Sequence, residues 1–294
     1  MIDKLEMFIA LSREGHFGRA AESLGVTQPT LSAGIKALEA QLGVQLVWRG
    51  SRYGGLTPEG SRVLVWARQI VADTRTMREE MRAVRQGLAG NLRLAVIPTA
   101  LTTVADLTGR FGRAHPNVRF TILSRTSIEI LSMIENLEVD AGISYLDNEP
   151  LGRVVTVPLY RESYTFVCAE DSPLADRVEV GWDEIADEPL CLLTPDMQNR
   201  RIINQNFQEA GRTVTGAVES NSTVVLISHV AAGRWATILP VEMAEFLGAG
   251  KPVRIIPLKD VAARHAIGLI APHREPHTPV LAALLREAQG ISRL

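Results

Sequence analysis

Between Thr27 and Lys36 the chain sets out Thr27, Gln28, Pro29, Thr30, Ser32, Ala33 and Lys36. Gln28, Thr30 and Ser32 carry uncharged hydrogen-bonding groups suited to base edges and phosphates in a major groove, and Lys36 can neutralise backbone charge. Arg49 and Arg52 bracket a Gly-rich stretch, Arg49-Gly50-Ser51-Arg52-Tyr53-Gly54-Gly55, with the composition of a hairpin tip set against a phosphate backbone or a minor groove. A different chemistry is offered by Arg125 and Arg161, because a guanidinium matches a carboxylate in two-point geometry. Catalytic patterns are missing: there is no Gly-rich phosphate loop of the usual spacing, no Gly-x-Ser-x-Gly elbow and no His-Glu-x-x-His. His273 and His277 are four apart, but Pro272, Pro276 and Pro279 exclude the helix that would align them on one face. No catalytic residue, metal site or cofactor is expected, and the chain is read as a non-enzyme.

The elements that must position these groups are short helices. Ala20, Ala21 and Leu24 are expected to pack inward from one helix, Gly25 to take the turn, and Val26, Leu31 and Ile35 to close the small core from a second helix. Thr27 is placed to cap that second helix, with Pro29 in its first turn, where a missing N–H is tolerated. Ile2, Leu5 and Phe8/Ile9 predict a further helix over 2–14 that stops at Gly15. Val44 to Leu56 reads as a two-stranded wing. From Thr57, a cap followed by Pro58, a long helix is predicted to about Leu88. Along it Val63, Ala67, Ile70, Thr74, Met77, Met81, Val84 and Leu88 alternate steps of four and three. Such a heptad seam needs a partner helix, and at ~1.5 Å per residue the helix is on the order of 45 Å long, so a second copy is the expected partner.

The run Phe17 to Glu39, with its Arg-Ala-Ala-Glu, Thr-Gln-Pro-Thr-Leu-Ser and Ile-Lys-Ala-Leu-Glu segments, resembles the N-terminal DNA-binding domain of the LysR-type transcriptional regulators. Leu42-Gly43-Val44-Gln45-Leu46, Arg49 and Leu56-Thr57-Pro58-Glu59-Gly60 continue the pattern. The chain departs from it at Ala33 and Gly34, where the family usually carries basic or amide residues, and at Val47, which replaces a usual Phe. The resemblance, taken with the chemistry above, makes Arg19, Thr27, Gln28, Pro29, Thr30, Ser32, Ala33, Lys36, Arg49 and Arg52 the expected DNA-binding set.

From Asn91 onward apolar strand-like runs alternate with helical ones. Leu92–Ile97, Arg119–Leu123, Ala141–Tyr145, Tyr164–Ala169, Leu190–Leu193, Ala217–Glu219, Ala236–Leu239, Val253–Pro257 and Ala266–Ile270 read as strands. The intervening helices imply a largely parallel sheet covered on both faces. His115-Pro116-Asn117-Val118, Asp140-Ala141-Gly142-Ile143, Asp171-Ser172-Pro173-Leu174-Ala175 and Ala231-Ala232-Gly233 leading to Ile238-Leu239-Pro240 resemble the LysR-type effector-binding domain. That likeness implies an α/β multidomain chain: an N-terminal winged helix-turn-helix at 1–58, a linker and dimerisation helix at 59–89, and an effector-binding domain at 90–294. The last would be two Rossmann-like subdomains, similar to periplasmic solute-binding proteins, at 90–161 with 268–294 and at 162–267, with a ligand in the cleft between them. Strand ends and helix N-termini there suit a small anion. The expected effector-binding residues are Thr99, Ala100, Leu101, Arg125, Ser127, Thr194, Asn221 and Ser222. Each hydroxyl also has a structural reading, since Thr126 with Glu129 forms a capping-box pattern and Thr99, Ser127 or Ser222 could cap a helix.

Residues 1–90 carry 12 Lys and Arg against 9 Asp and Glu, and the remainder 19 against 24, so the local excess of positive charge sits with the helix-turn-helix. No uninterrupted apolar run approaches a membrane span and the N-terminus is no signal peptide, so a cytoplasmic protein is expected. Cys168 and Cys191 lie in apolar runs as buried, inert thiols. The expected function is a sequence-specific, ligand-responsive transcription regulator. Its expected partners are a dyad-symmetric site in double-stranded promoter DNA, a small effector with a carboxylate as the candidate class, further copies of itself as dimer and then tetramer, and RNA polymerase; no membrane is expected.

Overall fold

The computed structural model describes residues 1–49, 53–147, 150–259 and 265–291. They fall into two compact units: Met1–Leu88 with Glu135–Glu138 and Arg274–Pro279, and the remainder. The first unit runs α1 (Ile2–Glu14), α2 (Phe17–Ser23), α3 (Gln28–Leu42), β1 (Val47–Arg49), β2 (Tyr53–Leu56) and α4 (Pro58–Gln86). Phe8, Leu11, Ala20, Leu31, Ile35 and Leu38 form its core, all fully buried. Gly25 sits at φ +66 between α2 and α3, a left-handed turn that a Cβ would strain. Ala20 and Ala21 pack inward as expected, but Leu24 does not. It occupies the C-cap of α2 and is 38% exposed, because the helix has already ended there.

The junction into α4 is tightly specified. Thr57 Oγ1 accepts from the Gly60 N–H at 2.8 Å and donates to the Gln45 carbonyl at 2.7 Å, while the Thr57 N–H donates to the Leu46 carbonyl. Pro58 takes the first helical position, where no N–H is needed. Gly60 passes so close to β1 that an added Cβ would lie 2.0 Å from the Leu46 carbonyl oxygen. The heptad seam divides along α4. Ala67 is buried in the core of the first unit and Val63 packs against it, since this face of the helix lies on α1. Ile70, Met77, Met81 and Val84 remain exposed, joined by Trp66 at 63% exposure, so the uncovered apolar stripe begins at Trp66 and excludes the first two expected positions.

The second unit holds two five-stranded sheets. In chain order its elements are β3 (Gly90–Val96), α5 (Leu101–Ala114), β4 (Val118–Ser124), α6 (Ser127–Glu135), β5 (Ala141–Tyr145), β6 (Val154–Glu162), β7 (Tyr164–Ala169), β8 (Leu190–Leu193), α7 (Gln198–Glu209), β9 (Val218–Ser220), α8 (Thr223–Ala231), β10 (Ala236–Pro240), α9 (Val241–Gly248), β11 (Val253–Pro257), β12 (His265–Pro272) and α10 (Pro279–Ile291). The first sheet is ordered β4-β3-β5-β12-β6 and the second β11-β7-β10-β8-β9. Each is largely parallel, as expected, with one reversed strand, β12 in the first and β7 in the second. In each, three strands run parallel and the remaining two join by antiparallel pairs, β12 to β5 and to β6, and β7 to β10 and to β11. The chain leaves the first sheet after Glu162 and re-enters it at His265 as the antiparallel strand β12. The strand β6 carries Pro158, a residue that argues against a strand, but it lies at a sheet edge where an absent N–H costs no ladder bond.

Two glycines in helices give a contrast that checks this packing. Gly60→Ala is expected to lower unfolding free energy by about 1–3 kcal/mol, because the new Cβ meets backbone rather than a movable side chain. A Cβ at Gly112 in α5 meets nothing within 4 Å, so Gly112→Ala is expected to be stabilising by up to about 1 kcal/mol. Chemical denaturation of both variants reads the difference.

Candidate nucleic-acid interface and ligand cleft

The start of α3 is an exposed polar surface. Thr27 caps the helix, accepting from the Thr30 N–H, and the two hydroxyls lie 2.9 Å apart. Thr27, Gln28, Pro29, Thr30, Ala33 and Lys36 are all exposed, and Ser32 is half-buried. Ala33 therefore lies on the outward face, while Gly34 does not belong to it: a Cβ there would stand 2.3 Å from Met7 Sδ of α1, so this glycine permits helix packing. Arg19 is exposed and donates to the Glu14 carbonyl at 2.6 Å, at the end of α1. His16 caps α2, its Nδ1 accepting from the Gly18 and Arg19 N–H groups. Nothing in the sequence marked that role, since histidine is not a preferred cap. Glu39, near the end of α3, accepts from the Leu46 and Val47 N–H groups and so ties the helix to the first wing strand. In the wing, Arg49 pairs with Tyr53 across β1 and β2, and Arg52 lies outside the described residues.

In the second unit a cleft of roughly 800 Å³ opens between strand ends and helix starts. Of the eight expected effector residues, Leu101, Arg125, Thr194, Asn221 and Ser222 line it. Thr99 lines a different cavity, and Ala100 and Ser127 are buried and line neither. Thr126 and Glu129 do form a capping box at α6, the Thr126 N–H donating to Glu129 Oε2 at 2.9 Å and the Glu129 N–H to Thr126 Oγ1 at 3.2 Å. Ser222 holds the N-cap position of α8 without a side-chain capping bond, so the first N–H groups of that helix lack a side-chain acceptor beside the cleft. Among the described residues Arg125 is the one basic side chain on the cleft wall, and its Nη1 donates to the Ser124 carbonyl. Arg161 lines the other cavity, so the two arginines do not converge on one ligand.

The acidic side of the cleft was not anticipated. Glu129, Asp196 and Glu219 all line it. Behind Glu219 stands Arg200, with its side chain only 5% exposed. Its Nη1 donates to Glu219 Oε1 at 2.8 Å and to the Leu193 carbonyl at 2.9 Å, and its Nε to Asn204 Oδ1 at 3.0 Å. Arg200 opens α7 alongside buried Gln198 and Asn199; Gln198 Oε1 and both polar side-chain atoms of Asn199 have no hydrogen-bond partner among the described residues. The Thr99 and Ser127 hydroxyls are buried and unpartnered in the same sense.

A buried carboxyl, Glu162, ends β6. Its Oε1 accepts from Tyr164 at 2.6 Å and Tyr145 at 2.8 Å. Burial pushes its pKa up from the usual 4.5 to about 7, with the Tyr164 and Tyr145 hydroxyls pulling it partway back and the Glu242 charge adding to the rise. In this pH range the folded chain holds a proton that the unfolded chain releases, so the contribution to stability is full below about pH 4.5 and is lost as pH rises through about 7. Glu162→Gln is therefore expected to gain on the native chain by roughly 1–3 kcal/mol between about pH 5 and pH 8 in denaturant titrations. A constant difference across that range would contradict the assignment.

Residues 2–61 match the family described as bacterial regulatory helix-turn-helix protein, lysR family, and residues 85–291 match the LysR substrate binding domain. The chain is 28% identical over 256 residues to the HTH-type transcriptional regulator XapR of Escherichia coli K12, covering 87% of this chain and 86% of that protein. It is 28% identical over 240 residues to the hydrogen peroxide-inducible genes activator of Dickeya chrysanthemi, covering 81% and 78%. Among solved structures, a full-length OxyR variant from Pseudomonas aeruginosa superposes with a TM-score of 0.74 at 26% identity, covering 100% of this chain and 96% of that one. With the helix-turn-helix unit and the cleft-bearing α/β unit each matched in order, the chain belongs to the LysR family of DNA-binding transcriptional regulators.

Proposed function

We propose that this regulator reads a dyad-symmetric promoter site through the start of α3 and the wing, and answers to a small metabolite held in the cleft of the second unit. The observation that carries the DNA half is the outward row of Thr27, Gln28, Thr30 and Lys36 on a capped, tightly packed helix. Ser32, Ala33, Pro29, Arg19, Arg49 and Arg52 complete the proposed surface, with residues 1–58 as the reading domain, 59–89 as the linker and 90–294 as the effector domain. The apolar stripe of α4 supports pairing of two copies, which sets two reading helices on one duplex face, and a tetramer of two such dimers is the proposed assembly. It acts in the cytoplasm at promoters, with RNA polymerase as a further partner, and carries out no chemical turnover.

The cleft chemistry refines the effector. Arg125 and the uncapped start of α8 favour a carboxylate, while Glu129, Asp196 and Glu219 on the same wall favour a ligand that also presents hydrogen-bond donors or positive charge. The proposed effector is a small carboxylate bearing donor groups, not a simple polyanion. A thiol-based response of the kind a peroxide-inducible relative invites is a poorer reading. Cys168 and Cys191 are both buried, which raises both thiols, Cys191 to about 11, and the reactive form is the thiolate.

Fluorescence titration of upstream duplex at several salt concentrations tests the DNA half through two variants. Lys36→Ala is expected to weaken all duplexes alike and lower the salt slope by about 1, while Gln28→Ala is expected to cost roughly 1–3 kcal/mol on the specific site and little on random DNA. Unchanged binding by both would overturn the proposed surface.

A further inference from the structure

A smaller cavity in the second unit, about 160 Å³, shares no lining residue with the large cleft. Glu162 and Thr99 line it, each only 2% exposed. The phenols of Tyr145 and Tyr164 both bond Glu162 Oε1, leaving Oε2 without a hydrogen bond, and Thr99 Oγ1 beside it also lacks one. Glu242 adds a second carboxylate to the wall, and Arg161 a guanidinium. Among the described residues Glu162 makes no ion pair, so once ionised above about pH 7 it has no counter-charge beside it. The cavity thus presents unfilled acceptors to a space of roughly five waters, taking about 30 Å³ for each.

We propose that this cavity is a second ligand site, distinct from the large cleft, which takes the ammonium group of a small alkylamine between Glu162 Oε2, Thr99 Oγ1 and Glu242. An ammonium group brings three donors and a compact positive charge, matching acceptors that no side chain of the described residues serves. The volume limits the attached chain to a few carbons. The site does not depend on DNA binding or on the occupant of the large cleft.

The test is thermal unfolding of the full-length chain at pH 8 in methylammonium chloride, ammonium chloride, potassium chloride and sodium chloride at one ionic strength. Methylammonium is expected to raise Tm by about 2–4 °C over sodium in the native chain and in Arg125→Ala, with no rise in Glu162→Gln. Thr99→Val should raise the half-saturating methylammonium concentration several-fold, and it carries the comparison if Glu162→Gln does not fold. Ammonium acting as well as methylammonium supports the site and shows that the alkyl chain adds nothing. The proposal is overturned by no rise in the native chain, an equal rise in both cavity variants, or an equal rise with potassium, which would make the occupant a metal cation. A rise lost only in Arg125→Ala would move the amine to the large cleft and also overturn it.

Discussion

The reading face depends on one close approach. Gly60 lies against the Leu46 carbonyl, and Thr57 bonds forward to Gly60 and back to Gln45, so the wing and the start of α4 are held as one piece. Glu39 binds the same wing strand from α3. A side chain at position 60 would part these elements, which is why a residue with no Cβ stands one turn into a helix otherwise rich in large side chains.

The second unit is governed by buried charge. Arg200 bonds Glu219 on the wall of the large cleft, and also a carbonyl and an asparagine. Glu219 and Arg125 thus line one cleft whose wall carries both signs of charge. Glu162 is the opposite case, a carboxylate whose neighbours are neutral phenols. Low dielectric makes each unmatched acceptor costly, and ligands that supply the missing donors gain accordingly.

Much of this was legible in the sequence. The helix-turn-helix declares itself through local signals, Thr27 and Thr57 as caps and Gly25 as a turn, because local signals do not depend on the rest of the fold. The strands of the second unit were visible as apolar runs. What escaped was set by distant contacts. Pro158 hides β6, whose edge position only the sheet reveals. Val63 and Ala67 fit the heptad spacing yet face α1, because spacing gives a face and not its occupant. Arg200 and Glu219 are far apart in sequence, and the burial of Glu162 follows from two strands that meet only in the folded chain.

The central claim is sequence-specific DNA recognition coupled to a ligand cleft. Its most direct test is the affinity of the purified full-length chain for the duplex upstream of its own gene against random duplex, with the footprint mapped with and without small amino-bearing carboxylates. The account predicts a preference of about a thousandfold or more at physiological salt, weakening as salt rises, and a footprint that shifts with one ligand. Equal affinity for both duplexes at every salt concentration would contradict it.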